Sequence, residues 1–463
     1  MSLAKITRRE FVRRSGLLAA AGSAAPWALN LAAIGEAAAQ TAPGDYRAIV
    51  CVFLYGGNDY GNTVVPYDID NYNRYQTIRQ AIATPRDALT ATALTGATTA
   101  PGTPLPTGRQ MALAPQLAPL KTIFDAGKMA VVLNIGTLIQ PTTLAQYNAR
   151  NVPLPPKLFS HNDQQSVWQS SLAEGATSGW GGRIGDLFLS SNGNATFTCV
   201  NVSGNAVFMS GQTAVQYQVS TSGSVPLNAV NTPLFGSAAC SDALRALTTA
   251  TRANLFETEH TRVMSRALSA NAQLTPALAG VAPFATVFDP TNPLATQLQL
   301  VARMIAARTA LAATKQVFFV SLGGFDQHDF LTTLHPPLLT QVANALKSFY
   351  EVTVELGVAD KVTAFTASDF GRTLSSNGDG SDHGWGSHHF VLGGAVRGQR
   401  FYGNAPAVAA GGTDDVGQGR LLPTTAVDQL SATLATWMGV PASSLVSVAP
   451  NIGNFAANLG FLG

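Results

Sequence analysis

At 463 residues, with 46% hydrophobic and 12% charged side chains, the chain is long enough for a large core and too apolar for a disordered protein. The formal charge of +2 is misleading, because residues 1–39 carry Lys5, Arg8, Arg9, Arg13 and Arg14 against only Glu10 and Glu36. Without that segment the balance is about −1, so no nucleic-acid partner is expected. Three cysteines are too few for a disulfide framework. Cys51 sits in a strand pattern, and Cys199 with Cys240 is read as unpaired, pairing being the lesser alternative.

The first element is an export signal. Thr7-Arg-Arg-Glu-Phe-Val-Arg13 has the twin-arginine pattern, residues 15–33 form an alanine-rich apolar stretch, and Ala37-Ala-Ala39 is a small-residue cleavage signal. Residues 1–39 are therefore read as a twin-arginine signal peptide, in preference to a basic amphipathic helix. The twin-arginine translocase is the expected partner during export, and the periplasm or the exterior the destination. The apolar stretch is too short for a span and no later segment reaches that length, so no stable membrane insertion is expected.

Residues 40–463 read as one α/β domain. Near-continuous apolar runs at 48–55, 129–133, 316–322 and 361–366, with a further run starting at His388, have the character of strands buried on both faces. Helical periodicity separates them: 111–126 (Leu113, Leu117, Leu120 and Phe124 on one face), 293–313, 337–356 and 425–438. The alternation predicts an open, mainly parallel sheet with helices on both sides, binding its ligand beyond the carboxyl ends of the strands. Residues 192–236, rich in Ser, Thr, Gly, Asn and Val, are expected to form a polar β-rich insert, and 84–107 a weakly ordered loop.

Four of the seven histidines lie in two segments that follow apolar strands, Gly323-Gly-Phe-Asp-Gln-His-Asp329 and Thr366 to Phe390. Asp326 and His328, two apart in extended chain, face the same way and are read as a metal-ligand pair. Asp369 ends the next strand, with Arg372 placed to hold a sulfate, phosphate or carboxylate group. His383 and His388 are taken as ligands, and His389, its side chain on the opposite face, as structural or as the hydrogen-bond partner of a ligand. In Gly56-Gly-Asn-Asp-Tyr-Gly-Asn62 the glycines allow a tight turn, and Asn58, Asp59 and Asn62 offer oxygens, unless the segment is only an Asx-rich turn. Ser160 opens a helix and is read either as its cap or as a nucleophile. There is no His-Glu-x-x-His, no Gly-x-Ser-x-Gly, no phosphate-binding Walker loop, and no Cys/Ser-x-Pro-x-Arg.

Gly56-Gly-Asn-Asp59, Ser160-His161, Leu300-Val-Ala-Arg-Met-Ile305, Gly323-Gly-Phe-Asp-Gln-His328, Ser368-Asp-Phe-Gly-Arg-Thr373, Asp382-His-Gly-Trp385 and Val391-Leu-Gly-Gly-Ala395 resemble the DUF1501 family over nearly the whole of 40–463. That resemblance implies the alkaline phosphatase and sulfatase superfamily: a three-layer αβα sandwich with two divalent metals. It would give Asp59 and Asp369 to one metal, Asp326, His328 and a later histidine to the other, and the nucleophile's place to Ser160. Two departures stand out. The superfamily usually has Asp-His where this chain has Asp369-Phe370, and it spaces its other Asp–His pair by four rather than two.

The expected function is an exported metal-dependent hydrolase of phosphate or sulfate esters, with a small-molecule or glycan ester as substrate. The cofactor is one or two divalent ions. Zinc suits the His/Asp mixture, while manganese, calcium or magnesium suits the Asp/Asn oxygens. The alternative is a non-catalytic periplasmic protein, stabilised by its metal, that binds a glycan or a protein.

Overall fold

A computed structural model describes residues 45–96 and 102–463. The expected export signal, and residues 97–101 of the expected loop, lie outside the described residues. The centre of the fold is a nine-stranded sheet. Its strands are β1 (Arg47–Leu54), β2 (Met129–Gly136), β3 (Cys199–Asn201), β4 (Tyr217–Gln218), β5 (Lys315–Leu322), β6 (Val362–Ser368), β7 (Ser387–Gly393), β8 (Arg400–Tyr402) and β9 (Thr425–Ala426). The order is β8-β2-β7-β6-β1-β5-β3-β4, with β9 also on β2. All pairings are parallel except those of β7, which runs antiparallel to β2 and β6.

The strands form where the sequence is apolar without interruption, because both faces are covered. In β1, Ala48, Val50, Val52 and Leu54 join the core under helices Ala118–Asp125, Pro293–Ala306 and Leu331–Glu355. Ile49, Cys51 and Phe53 face the opposite core, under Trp180–Phe188 and Val427–Met438. The three-layer αβα sandwich with a mainly parallel sheet is therefore the architecture. No helix among the described residues is long and apolar enough to cross a membrane.

Several elements differ from expectation. Residues 111–126 divide into strand Met111–Leu113, which pairs with Val64–Pro66, and a helix that starts only at Ala118. Pro115 opens the intervening turn, and a proline disfavours helical backbone in the residue before it. The segment 192–236 is not β-rich. Its strands are only β3 and β4, at the far edge of the central sheet, and its polar side chains fold the chain locally instead, as where Asn201 Oδ1 accepts from Ser203 N at 3.0 Å. A helical pair, Ala238–Thr249 and Leu255–Ala279, follows it, unforeseen in the sequence. Cys199 is buried, Cys240 is exposed, and neither is bridged.

Candidate metal centre

Three adjacent parallel strands end in register, with Leu54 beside both Leu322 and Ser368, so the loops after β1, β5 and β6 leave the sheet at one edge. The first turns on Gly56 and Gly57, at φ of +116° and +84°. A Cβ on Gly56 would lie 2.3 Å from the backbone nitrogen of Asp326, and one on Gly57 2.5 Å from the Phe370 ring. Only glycine permits both the conformation and that approach. The close packing brings Asp326, Asp369 and Arg372 together.

Asp326 is at the centre, its side chain 45% exposed. Its Oδ1 accepts from Arg372 Nη1 at 2.9 Å. Burial pushes this carboxyl up, but the Arg372 hydrogen bond and charge, with His161 and His328, more than offset it and leave it below the usual range.

Three imidazoles converge on Asp326. His161, the first residue of helix His161–Ser170, has Nδ1 2.6 Å from Asp369 Oδ2. The buried Asp369 also accepts from Gln165 Nε2 at 2.8 Å and from Gly56 N at 3.2 Å. His383 closes the hairpin strand Ser381–His383, which pairs with Arg372–Ser376, and its Nδ1 lies 2.7 Å from the carbonyl of Phe159. His328 has Nδ1 3.0 Å from Asp382 Oδ1. Carboxylates and carbonyls only accept, so each Nδ1 carries a proton, and in the neutral ring each Nε2 presents a lone pair.

Those lone pairs meet at short range. Nε2 of His328 and of His383 are 2.9 Å apart and lie 3.1 and 3.2 Å from Asp326 Oδ1. Nε2 of His161 is buried without a hydrogen-bond partner, 3.4 Å from Asp326 Oδ2. One ligand atom each from His161, Asp326 and His383 lies within 4.8 Å of the others. Electron-rich atoms held this way repel unless a cation lies among them, so the donor set fits a metal ion. The Asp369 hydrogen bond raises the pKa of His161, whereas burial lowers that of His383 against the Phe159 contact.

Other expected ligands are elsewhere. Asp59 is closed in an ion pair with Arg79 at 2.6 Å, with side chains 1% and 0% exposed, and it also accepts from Ser381 Oγ and Asn62 N. Desolvation raises its pKa, but Arg79 and His335 bring it below the ordinary value. Asn58 faces His335 and Asn62 faces Tyr75, so the oxygens of this loop are satisfied within the fold. His388 accepts from Asn134 N at 3.0 Å and packs on Tyr60. Burial lowers its pKa to about 4. His389 lies against Trp168 on the other face. Because both faces of β7 are covered, neither histidine reaches the site, and the reading of His388 as a ligand is corrected. Arg372 is also corrected. Fully buried, it donates to Asp326, the Gly56 carbonyl and Ser381, and so positions Asp326 instead of gripping a substrate oxyanion. Asp369 holds His161. Ser160 occupies the cap position, but its hydroxyl donates to Asp163 Oδ2 at 2.8 Å and accepts no hydrogen bond from the helix backbone.

His161 and Gln165 were not singled out from the sequence. Their signal is an i, i+4 pair on the first turn of a helix, both members reaching one carboxylate.

Solved structures of similar layout include Ps i-CgsB in complex with k-i-k-neocarrahexaose, at 10% identity and TM-score 0.36, covering 89% of this chain and 77% of that one. Another is the PsFucS1 sulfatase from Pseudoalteromonas sp., at 8% identity and TM-score 0.35, covering 90% and 72%. Among curated proteins none matches. The family described as "Protein of unknown function (DUF1501)" matches residues 46–449, a span that includes every residue of the cluster, and the chain belongs to that family.

Proposed function

We propose that this protein is an exported metal-dependent hydrolase that acts on sulfate or phosphate esters of small molecules or glycans. The observation that carries this reading is the convergence of three Nδ1-tethered imidazoles on the half-exposed carboxylate of Asp326. A divalent ion held there would supply Lewis acidity to the ester and lower the pKa of a bound water. The chain's own residues do the rest. Arg372 fixes Asp326, Asp369 fixes His161, and the Phe370 ring packs against His161 and His383 at centroid distances of 4.9 and 4.7 Å, giving one side of the cluster a dry wall. Ser160, next to His161 and donating to Asp163, is the proposed nucleophile.

The second reading is a metal-stabilised binding protein that turns nothing over. The burial of Arg372 favours it, since that residue is unavailable to a substrate oxyanion. The discriminating experiment is turnover of paired aryl sulfate and aryl phosphate monoesters and diesters by metal-loaded protein, beside chelated protein, Asp326→Asn and Ser160→Ala. The hydrolase reading expects metal-dependent turnover that falls to background in Asp326→Asn and collapses in Ser160→Ala with metal retained. Absence of turnover across the panel by folded, metal-loaded protein selects the binding reading.

A further inference from the structure

The superfamily resemblance implies two metals, and the residues here fit only one. The carboxylate that the second would need, Asp59, is neutralised by Arg79 and saturated by Ser381 and Asn62. Asp369 is wholly buried and spends Oδ2 on His161 and Gln165 and Oδ1 on Gly56 N. Where the superfamily usually has a histidine, the Phe370 ring fills the space between Gly57 and the imidazoles.

We infer that the protein binds a single ion, through Nε2 of His161 and His383 and the carboxylate of Asp326, with Nε2 of His328, which meets Asp326 and His383, turning in as the fourth ligand, and that Asp369, Asp382 and the Phe159 carbonyl act as positioning groups, not ligands. This rests on the metal-dependent reading above and specifies its centre. Three independent anchors, one per ring, hold the imidazoles in the tautomer that aims Nε2 inward. The same arrangement, a ligating histidine whose other ring nitrogen donates to a carboxylate or carbonyl, recurs around protein-bound metals. The orphaned Nε2 of His161 and the facing Nε2 atoms of His328 and His383 are the interactions left incomplete without a cation.

Ion class follows from the donors. Three neutral imidazoles and one carboxylate suit the borderline first-row ions of the zinc and cobalt class, whereas magnesium and calcium require mainly oxygen. The oxygen-rich loop that would have favoured those ions is occupied by Arg79, His335 and Tyr75. With His328 41% and Asp326 45% exposed, the outer side of the ion remains open to water or substrate.

The test is titration of chelated, full-length folded protein with Co(II), following its visible d–d bands, with elemental analysis after gel filtration. The expected endpoint is one ion per chain, unchanged by excess magnesium or calcium. His161→Ala, His328→Ala and His383→Ala each lower affinity by roughly 100-fold or more and alter the band shape, because each removes a ligand. Asp369→Asn lowers affinity by about 10–100-fold and keeps both the one-ion endpoint and the band shape, as a positioning role requires. Circular dichroism verifies folding of each variant, and Asp59→Asn is the control that keeps Co(II) binding. Two ions per chain, unaltered bands in the histidine variants, or folded protein that takes up no Co(II) would overturn the proposal. One bound ion without ester turnover would leave this centre standing and defeat only the hydrolase reading.

Discussion

Asp59→Asn removes one charge from a pair in which neither side chain is more than 1% exposed and the oxygen–nitrogen distance is 2.6 Å. The variant keeps the shape but leaves the Arg79 guanidinium buried without its counter-charge, and turns either an amide NH₂ or a lone oxygen toward a site built for two acceptors. Breaking a buried pair by removing one partner costs about 3–5 kcal/mol. Arg79 retains the carbonyls of Thr373 and Leu374 at 3.2 Å, so the lower end, about 3 kcal/mol, is expected. In urea, with chelator present, that lowers the unfolding midpoint by about 1 M for a slope of about 3 kcal/mol/M. The folded carboxyl has a depressed pKa, so its contribution is present above the unfolded value of about 3.9 and is lost as pH falls through the folded one. The deficit of the variant should therefore shrink below about pH 4. Metal content should be unchanged at neutral pH. Loss of metal with undiminished metal-free stability would refute this and make Asp59 a ligand.

Asp326→Asn should show the reverse: metal lost, and metal-free urea midpoint lowered by less than in Asp59→Asn, because the half-exposed carboxylate gains less from its Arg372 pair than a buried one does. Arg372→Lys cannot span Asp326, Gly56 and Ser381 together, so metal affinity and metal-free stability should fall jointly, the latter by about 2–4 kcal/mol; a change in affinity alone would contradict this. His335, His388 and His389 are held neutral by burial, with pKa values of about 4, about 4 and about 3. The unfolded chain binds their protons near pH 6.5, so stability is full above that pH and falls progressively toward pH 4; a flat melting temperature in chelated protein between pH 7.5 and 5 would contradict it. Thiol titration should find one reactive cysteine in folded protein, Cys240, and three in urea; two unreactive cysteines after unfolding without reductant would indicate a disulfide.

The sheet was legible because its central strands are buried on both faces, which writes each as an unbroken apolar run. The strand ends also drew attention to Asp326, His328, Asp369 and His383, which lie close together in the fold. What could not be read was which polar residues had already found partners within the fold. Asp59 and Asp326 look alike in sequence, yet one meets Arg79 from a helix with little apolar periodicity and the other remains half open. His388 lies in a strand whose two faces are both interior, so alternation could not decide between it and His389. His161 stayed hidden behind Ser160 because a helix start explains itself by capping. The helical pair after the polar segment has few buried apolar residues, Leu268, Ala270, Leu274 and Leu278 among them, and so left a weak periodic signal.

The most direct test of the central claim is anomalous diffraction from crystals grown with zinc, collected on both sides of the zinc absorption edge. One strong peak per chain is expected, within about 2.0–2.2 Å of Nε2 of His161, His328 and His383 and of an Asp326 oxygen. A peak between Asp59 and Asp369, a second peak beside the first, or none in zinc-soaked crystals would contradict it.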